Sequence, residues 1–184
     1  MKTYIQPLKS TIYFIVVLLV VHLVWKFGFQ EEIDLSGNKI LTFYGLNVSA
    51  CFYAMSNWLL NAVYVILSKM TDLQVELRSS SIFYLEQNSS IEIVWSCTGI
   101  KQMVFFFLVM LCYPQNSIHK LWYIPAGLVF IFLLNVVRIA TIVYLCGEDM
   151  NRFEMLHEGS KYVFYAIIYI MWILWDWKLV NLKK

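Results

Sequence analysis

Three residues of this chain have the chemistry of an acyl-transfer site. Cys97 begins an apolar run, where Ser96 is expected to cap the helix, and a thiol at a helix N-terminus near a cation such as Lys101 is more acidic than a free thiol. Arg138 lies inside another apolar run. Burying a guanidinium in hydrocarbon costs at least ~2.5–3.5 kcal/mol, so Arg138 is expected to face the protein interior and a partner. His157 lies in a polar loop, where an imidazole can act as general base or acid. Together the three supply a nucleophile, an oxyanion stabiliser and a proton shuttle.

Each of these residues also has a purely structural interpretation. Cys97 then fills a helix-packing position as a small hydrophobic residue, Arg138 locks two helices together, and His157 is an ordinary surface residue. Asn135 and Thr141 lie three residues on either side of Arg138, so the three share one helix face. This spacing predicts a polar stripe that points into a helix bundle.

The composition indicates that these residues belong to a membrane protein. Of the 184 residues, 60% are hydrophobic and 14% are charged, and the mean hydropathy is +0.65. A soluble domain of this size has too little interior for that much apolar surface. A soluble enzyme, a disordered chain and a nucleic-acid binder are therefore excluded, and the net charge of +2 indicates no polyanionic partner.

The apolar runs predict an all-α integral membrane helix bundle of four to five transmembrane helices with a small extracytoplasmic β-hairpin, in one domain covering residues 1–184. The first run is expected to be a retained helix that also directs insertion. The run at 46–68 carries many Asn and Ser residues and either spans the membrane or returns to the side it came from. The predicted spans are 10–29, 46–68, 97–113, 121–146 and 161–180, and the hairpin covers about 72–96.

The four-span arrangement places both termini in the cytoplasm and the acidic loops outside the cell. Charge supports it only modestly, because Lys and Arg are divided almost evenly between the two sides. Antiparallel helices then bring Cys97, Arg138 and His157 to one depth, on the extracytoplasmic face of the inner or plasma membrane.

Other classes of protein stay open on the residues alone. One is a non-enzymatic membrane scaffold in which Arg138 is a structural lock, and another is a small transporter subunit in which Asn135, Arg138 and Thr141 line a path. A thiol redox protein is disfavoured because the four cysteines form no CxxC pair. A metalloprotease is disfavoured because the HExxH pattern is missing. No cofactor-binding or metal-binding pattern is expected.

Three short motifs, in order, resemble a known family. Residues 95–101 (WSCTGIK) resemble the Cys-Ser/Thr-Gly box of the exosortase/archaeosortase family, residues 135–139 (NVVRI) resemble its Asn-x-x-Arg-Ile/Val helix, and His157 before an aromatic-rich span resembles its third box. The resemblance covers roughly residues 40–175 and is strongest to the short bacterial exosortases. The chain has fewer helices before the Cys box than the family usually has, and Val94-Trp95-Ser96 replace its usual acidic or small residue there.

The resemblance implies a membrane-embedded cysteine transpeptidase or protease. Cys97 would attack a peptide carbonyl and form a thioester, Arg138 would stabilise the oxyanion or the thiolate, and His157 would move protons. Thr98, Gly99 and Asn135 would support them. The expected partners are membrane lipid and exported proteins that end in a short motif, a transmembrane helix and a basic tail. Cleavage of this sorting signal is expected on the outer face.

Overall fold

The computed structural model describes residues 2–33, 39–86, 88–112, 118–148 and 152–181. Helices dominate these residues, as the long apolar runs predict, and two small antiparallel sheets interrupt them. In chain order the elements are α1 (Lys2–Gly28), β1 (Phe29–Ile33), β2 (Lys39–Phe43), β3 (Leu46–Asn47), α2 (Ser49–Met70), β4 (Val75–Arg78), β5 (Ser81–Tyr84), β6 (Ser89–Glu92), a 3₁₀ turn (Trp95–Cys97), α3 (Ile100–Cys112), α4 (Lys120–Glu148) and α5 (Phe153–Asn181).

Three helices of the described residues are long and apolar enough to cross a membrane. They are α1 over Thr11–Gly28, α2 over its full length, and α4 over Lys120–Gly147. The predicted span at 97–113 is the shorter helix α3, whose 13 residues extend only about 20 Å against a hydrocarbon core of about 30 Å. The span predicted at 161–180 lies within α5.

Both sheets lie at the end of the bundle where α1 and α4 end, which we call the sheet end. The predicted hairpin is a three-stranded meander, β4–β5–β6, in which Val75 pairs with Tyr84 and Tyr84 with Ser89. A second sheet, β1–β2–β3, was not predicted, because residues 29–33 (FQEEI) lack the alternation of a half-buried strand. The tight turn between β2 and β3 uses Tyr44 and Gly45, both with positive φ, as a two-residue hairpin turn requires.

Helix α2 begins at one sheet and ends at the other. At its start, the Leu41 N–H donates to Ser49 Oγ at 2.8 Å. Towards its end, Leu67 shares a buried cluster with Tyr84 and Cys146, at the sheet end of α4. Helix α2 is long and apolar enough to span, and whether this segment crosses the membrane or returns to the side it came from stays a prediction.

Two hydrophobic cores meet at Cys97. One contains α2, β5, β6, the second half of α4 and Cys97 itself. The other joins α1, α3, the first half of α4 and α5, with Phe105, Phe106 and Trp172 among its most buried side chains. The polar side chains described next lie at the sheet-end boundary of the second core, where α3 and α5 begin.

Candidate active site

The predicted nucleophile and the predicted base come together. Cys97 Sγ lies 3.9 Å from His157 Nε2, although 60 residues separate them in the chain. Cys97 is buried and ends the 3₁₀ turn before α3, and His157 lies in the first turns of α5 rather than in a loop. The His157 ring stacks on Phe153, with centroids 5.5 Å apart and planes 6° apart. This stacking holds the imidazole beside the thiol.

Asn135 links the backbone of Cys97 to the guanidinium of Arg138. It is completely buried (0% exposed). Its Nδ2 donates to the Cys97 carbonyl oxygen at 2.8 Å, and its Oδ1 accepts from Arg138 Nη1 at 3.3 Å. One amide therefore fixes the backbone of the nucleophile and one side of the guanidinium.

Gly99 makes room for this amide. Its φ is +77°, a conformation that L side chains rarely adopt, and a Cβ built there would stand 3.0 Å from Asn135 Cγ. Thr98, which is also buried, donates from Oγ1 to the Trp95 carbonyl at 2.7 Å and accepts from the Ile100 N–H at 3.4 Å. Thr98, rather than the exposed Ser96, thus provides the hydroxyl at the start of α3, so the expectation that Ser96 caps this helix is wrong.

Arg138 joins α4 to α5 as well. Its Nε donates to Ser160 Oγ at 2.8 Å, and that hydroxyl donates to the His157 carbonyl at 3.0 Å. The protein partners expected for Arg138 are therefore two neutral oxygens, Asn135 Oδ1 and Ser160 Oγ. Thr141 takes no part, because it is exposed and bonds the Val137 carbonyl of its own helix, so the predicted polar stripe stops at Arg138. The sequence analysis missed Ser160, whose only signal is its position three residues after His157.

The protonation states differ from the expectation of an acidic thiol. Cys97 precedes the membrane helix α3, and burial raises the pKa of its thiol, opposed chiefly by the charge of Arg138. His157 lies ahead of the apolar part of α5, and its pKa is lowered by burial and by the charges of Lys161 and Arg138. At neutral pH the pair is therefore a thiol beside a neutral imidazole, in which the imidazole is ready to accept the proton.

A cavity of about 680 Å³ opens beside His157, and Cys97 itself is not among its lining residues. Side chains of α1 form its apolar wall, including Leu18 and Trp25. Its polar side carries Arg138, His157 and Lys161 together with two basic side chains from different helices. These two are His22 of α1 and Lys101 of α3, with Lys101 Nζ 3.2 Å from His22 Nδ1. Among the residues that the structure describes, no Asp or Glu lines this cavity.

His22 carried little weight in the sequence, because it is a lone histidine on an apolar helix. Only the packing of α1 against α3 brings it to Lys101. Lys101 bonds His22, and the charges that act on the Cys97 thiol are those of Arg138 and Lys161. The expectation that Lys101 acidifies Cys97 is therefore wrong.

The fold and the site define a class of protein: an integral membrane helix bundle with a thiol, an imidazole and a half-buried guanidinium gathered at one end. The comparison with protein families agrees. The profile described as transmembrane exosortase (Exosortase_EpsH) matches residues 40–174, and the chain belongs to that family. No curated protein and no solved structure matches the chain.

Family membership confirms two parts of the sequence analysis, the resemblance itself and the class of fold. It also supports a transpeptidase-type role in a membrane in general terms. The roles of Cys97, Arg138 and His157, the side of the membrane and the substrate stay predictions.

Proposed function

We propose that this protein is a membrane-embedded cysteine transpeptidase that cleaves C-terminal sorting signals of exported proteins at the outer face of the membrane. The observation that carries the proposal is the 3.9 Å approach of Cys97 Sγ to His157 Nε2. A scaffold or a transporter would explain the half-buried Arg138 equally well, but neither requires a thiol beside a neutral imidazole. Because catalytic hydrogen bonds in unliganded enzymes are often long, a separation of this size suits a resting nucleophile and base.

In the first half-reaction His157 Nε2 takes the proton of the Cys97 thiol as the sulfur attacks the scissile carbonyl. A C–S bond forms and the carbonyl electrons move to oxygen, which gives a tetrahedral oxyanion. The Arg138 guanidinium, oriented by Asn135 and Ser160, stabilises that charge. When the C–N bond breaks, His157 returns the proton to the leaving amine, and the acyl group remains on Cys97 as a thioester.

The cavity suggests how the sorting signal reaches Cys97. Its wall on α1 is apolar, and its opposite side bears Arg138 and His157, whose Nε2 contacts the Cys97 thiol. A transmembrane segment can therefore lie along α1 with its scissile bond at the sheet end. The basic tail of the substrate then rests on the cytoplasmic side. Helix α2 and the β4–β6 meander frame the approach from outside. If exchange of that meander between homologues leaves substrate choice unchanged, its role in recognition is wrong.

The test is covalent trapping in membranes. Wild type, Cys97→Ala and the control Cys51→Ala, which removes an exposed thiol of α2, are each co-expressed with exported proteins that end in a motif, a helix and a basic tail. Intact mass reports processing, and hydroxylamine reports the thioester. We expect processing and a hydroxylamine-sensitive adduct in wild type and Cys51→Ala, and neither in Cys97→Ala.

The same experiment separates the rival classes. Processing that persists in Cys97→Ala removes the nucleophile and refutes the proposal. In a complementation assay of the same strains together with Arg138→Ala, rescue by Cys97→Ala would instead favour the transporter or the scaffold. Arg138→Ala that folds normally but does not rescue would then indicate the transporter, and Arg138→Ala that loses folded protein would indicate the scaffold, in which Arg138 locks the helices.

A further inference from the structure

A second cavity, of about 220 Å³, lies between the two sheets and α2. We call it the sheet cavity. Trp95 and Ser96 line both this cavity and the active-site cavity. These two residues directly precede Cys97, so the two cavities meet at the backbone next to Cys97, although Cys97 itself lines neither of them. The remaining lining residues are Glu31, Ile40, Leu41, Tyr53, Ser56, Asn57, Ser80, Glu92, Ile93 and Val94.

The charge of the sheet cavity is opposite to that of the active-site cavity. Glu31 of β1 and Glu92 of β6 bring carboxylates from the two different sheets, and no Lys, Arg or His is among the lining residues that the structure describes. Glu31 accepts from the Trp95 indole N–H, and Glu92 accepts from Ser80 Oγ at 3.2 Å. Each carboxylate has lone pairs beyond these bonds. Two carboxylates beside the aromatic rings of Tyr53 and Trp95 form an environment that attracts an ammonium group.

A buried hydroxyl on the wall of the sheet cavity lacks a partner. Ser56 is 7% exposed, and its Oγ makes no hydrogen bond with any described residue. Tyr53, Ser56 and Asn57 share one face of α2, since they are three and four residues apart. A buried hydroxyl without a partner is destabilising, so a polar ligand here would supply a hydrogen bond that the described residues do not make.

We propose that the sheet cavity binds the acceptor of the second half-reaction, and that this acceptor is a primary ammonium. The inference rests on the proposed thioester chemistry. The geometry places donor and acceptor on separate sides of Cys97, with the sorting signal on the α1 side and the amine between the sheets. Two kinds of acceptor carry this ammonium group, a lipid headgroup and a soluble amine.

The transfer step balances as follows. The bound ammonium releases one proton to solvent by way of a carboxylate and becomes a neutral amine. Its nitrogen attacks the thioester carbonyl, the C–N bond forms and the C–S bond breaks. His157 takes the second proton from nitrogen and delivers it to the Cys97 sulfur. The products are an amide and the free thiol, with one proton released and no change of oxidation state.

The experiment is carried out in phosphatidylcholine vesicles. It measures how the acyl-enzyme divides between reaction with an amine and hydrolysis by water. Biotin-labelled pentylamine is the probe, and mass spectrometry counts amide product against hydrolysed product, a ratio that does not depend on how much acyl-enzyme forms. We expect the half-saturating amine concentration to rise about tenfold in the double variant Glu31→Gln/Glu92→Gln and about threefold in Glu92→Gln, which leaves the Glu31–Trp95 bond intact. The control Glu86→Gln removes an exposed carboxylate outside the lining and is expected to match wild type.

Vesicles that contain phosphatidylethanolamine distinguish the two sources of the amine. A lipid-linked product that falls in the same variants identifies a headgroup, and soluble amide alone identifies a free amine; both support the sheet cavity. Equal half-saturation in wild type and both Gln variants overturns the proposal and leaves the cysteine chemistry standing. Hydrolysis alone at every amine concentration overturns it in the same way. Absence of any acyl-enzyme in wild type overturns both.

Discussion

Replacing Asn135 tests the central geometric argument. Asn135→Leu keeps the approximate volume and removes both hydrogen bonds, the one to the Cys97 carbonyl and the one to Arg138. An unsatisfied buried carbonyl costs about 1–3 kcal/mol, and a hydrogen bond to a charged group is worth about 1.5–3 kcal/mol. Added together, these two costs predict a loss of about 2.5–6 kcal/mol in the free energy of unfolding. Because the same bonds orient the nucleophile and the guanidinium, kcat/KM should fall about 30- to 150-fold.

Two further variants make this prediction specific. Asn135→Asp keeps an acceptor for Arg138 but has no N–H for the Cys97 carbonyl, so activity should still fall at least about tenfold. The control Asn61→Leu makes the same change from Asn to Leu on an exposed face of α2, where the amide bonds only the Asn57 carbonyl among described residues. It should leave activity within about twofold of wild type. Cleavage in nanodiscs and thermal unfolding are the measurements. If Asn135→Leu cleaves within threefold of wild type at equal folded protein, the amide does not organise the site.

Two other predictions concern the charge beside His157 and the packing of the helices. Burial and the positive charge of Lys161 lower the pKa of His157, so the neutral base should persist below pH 6.5 in wild type. Lys161→Ala should therefore move the acid limb of the profile of kcat/KM against pH to higher pH. An acid limb that stays in place or moves to lower pH would contradict this electrostatic account. Gly127→Ala puts a Cβ against the Phe106 ring between α3 and α4 and should destabilise the protein by about 1–3 kcal/mol, whereas Gly159→Ala in α5 meets no atom within 4 Å and should stabilise it by up to about 1 kcal/mol. Thermal unfolding in detergent compares the two, and equal melting temperatures would show that the contact at Gly127 is not restrictive.

The sequence was informative where single residues are costly or rare in their surroundings. Arg138 in an apolar run could be predicted to face a protein partner, because hydrocarbon cannot solvate a guanidinium. The long apolar runs likewise predicted the helices, since only helices satisfy every backbone group within one segment in lipid. Pro125 lies inside α4, which starts at Lys120, so this proline does not mark the start of the helix. Strands with mixed patterns, such as β1, carried too little periodicity to be found.

By itself, the sequence determined that this chain is a membrane helix bundle and which three residues have the chemistry of acyl transfer. Only the tertiary structure decided how those residues act. The 3.9 Å contact between Cys97 and His157 depends on how α5 packs beside the start of α3. Burial then reverses the expected acidity of the thiol, since removal from water disfavours its charged form more than Arg138 favours it. The opposite charges of the two cavities also arise from packing, because each cavity draws its side chains from helices or sheets that are far apart in the chain.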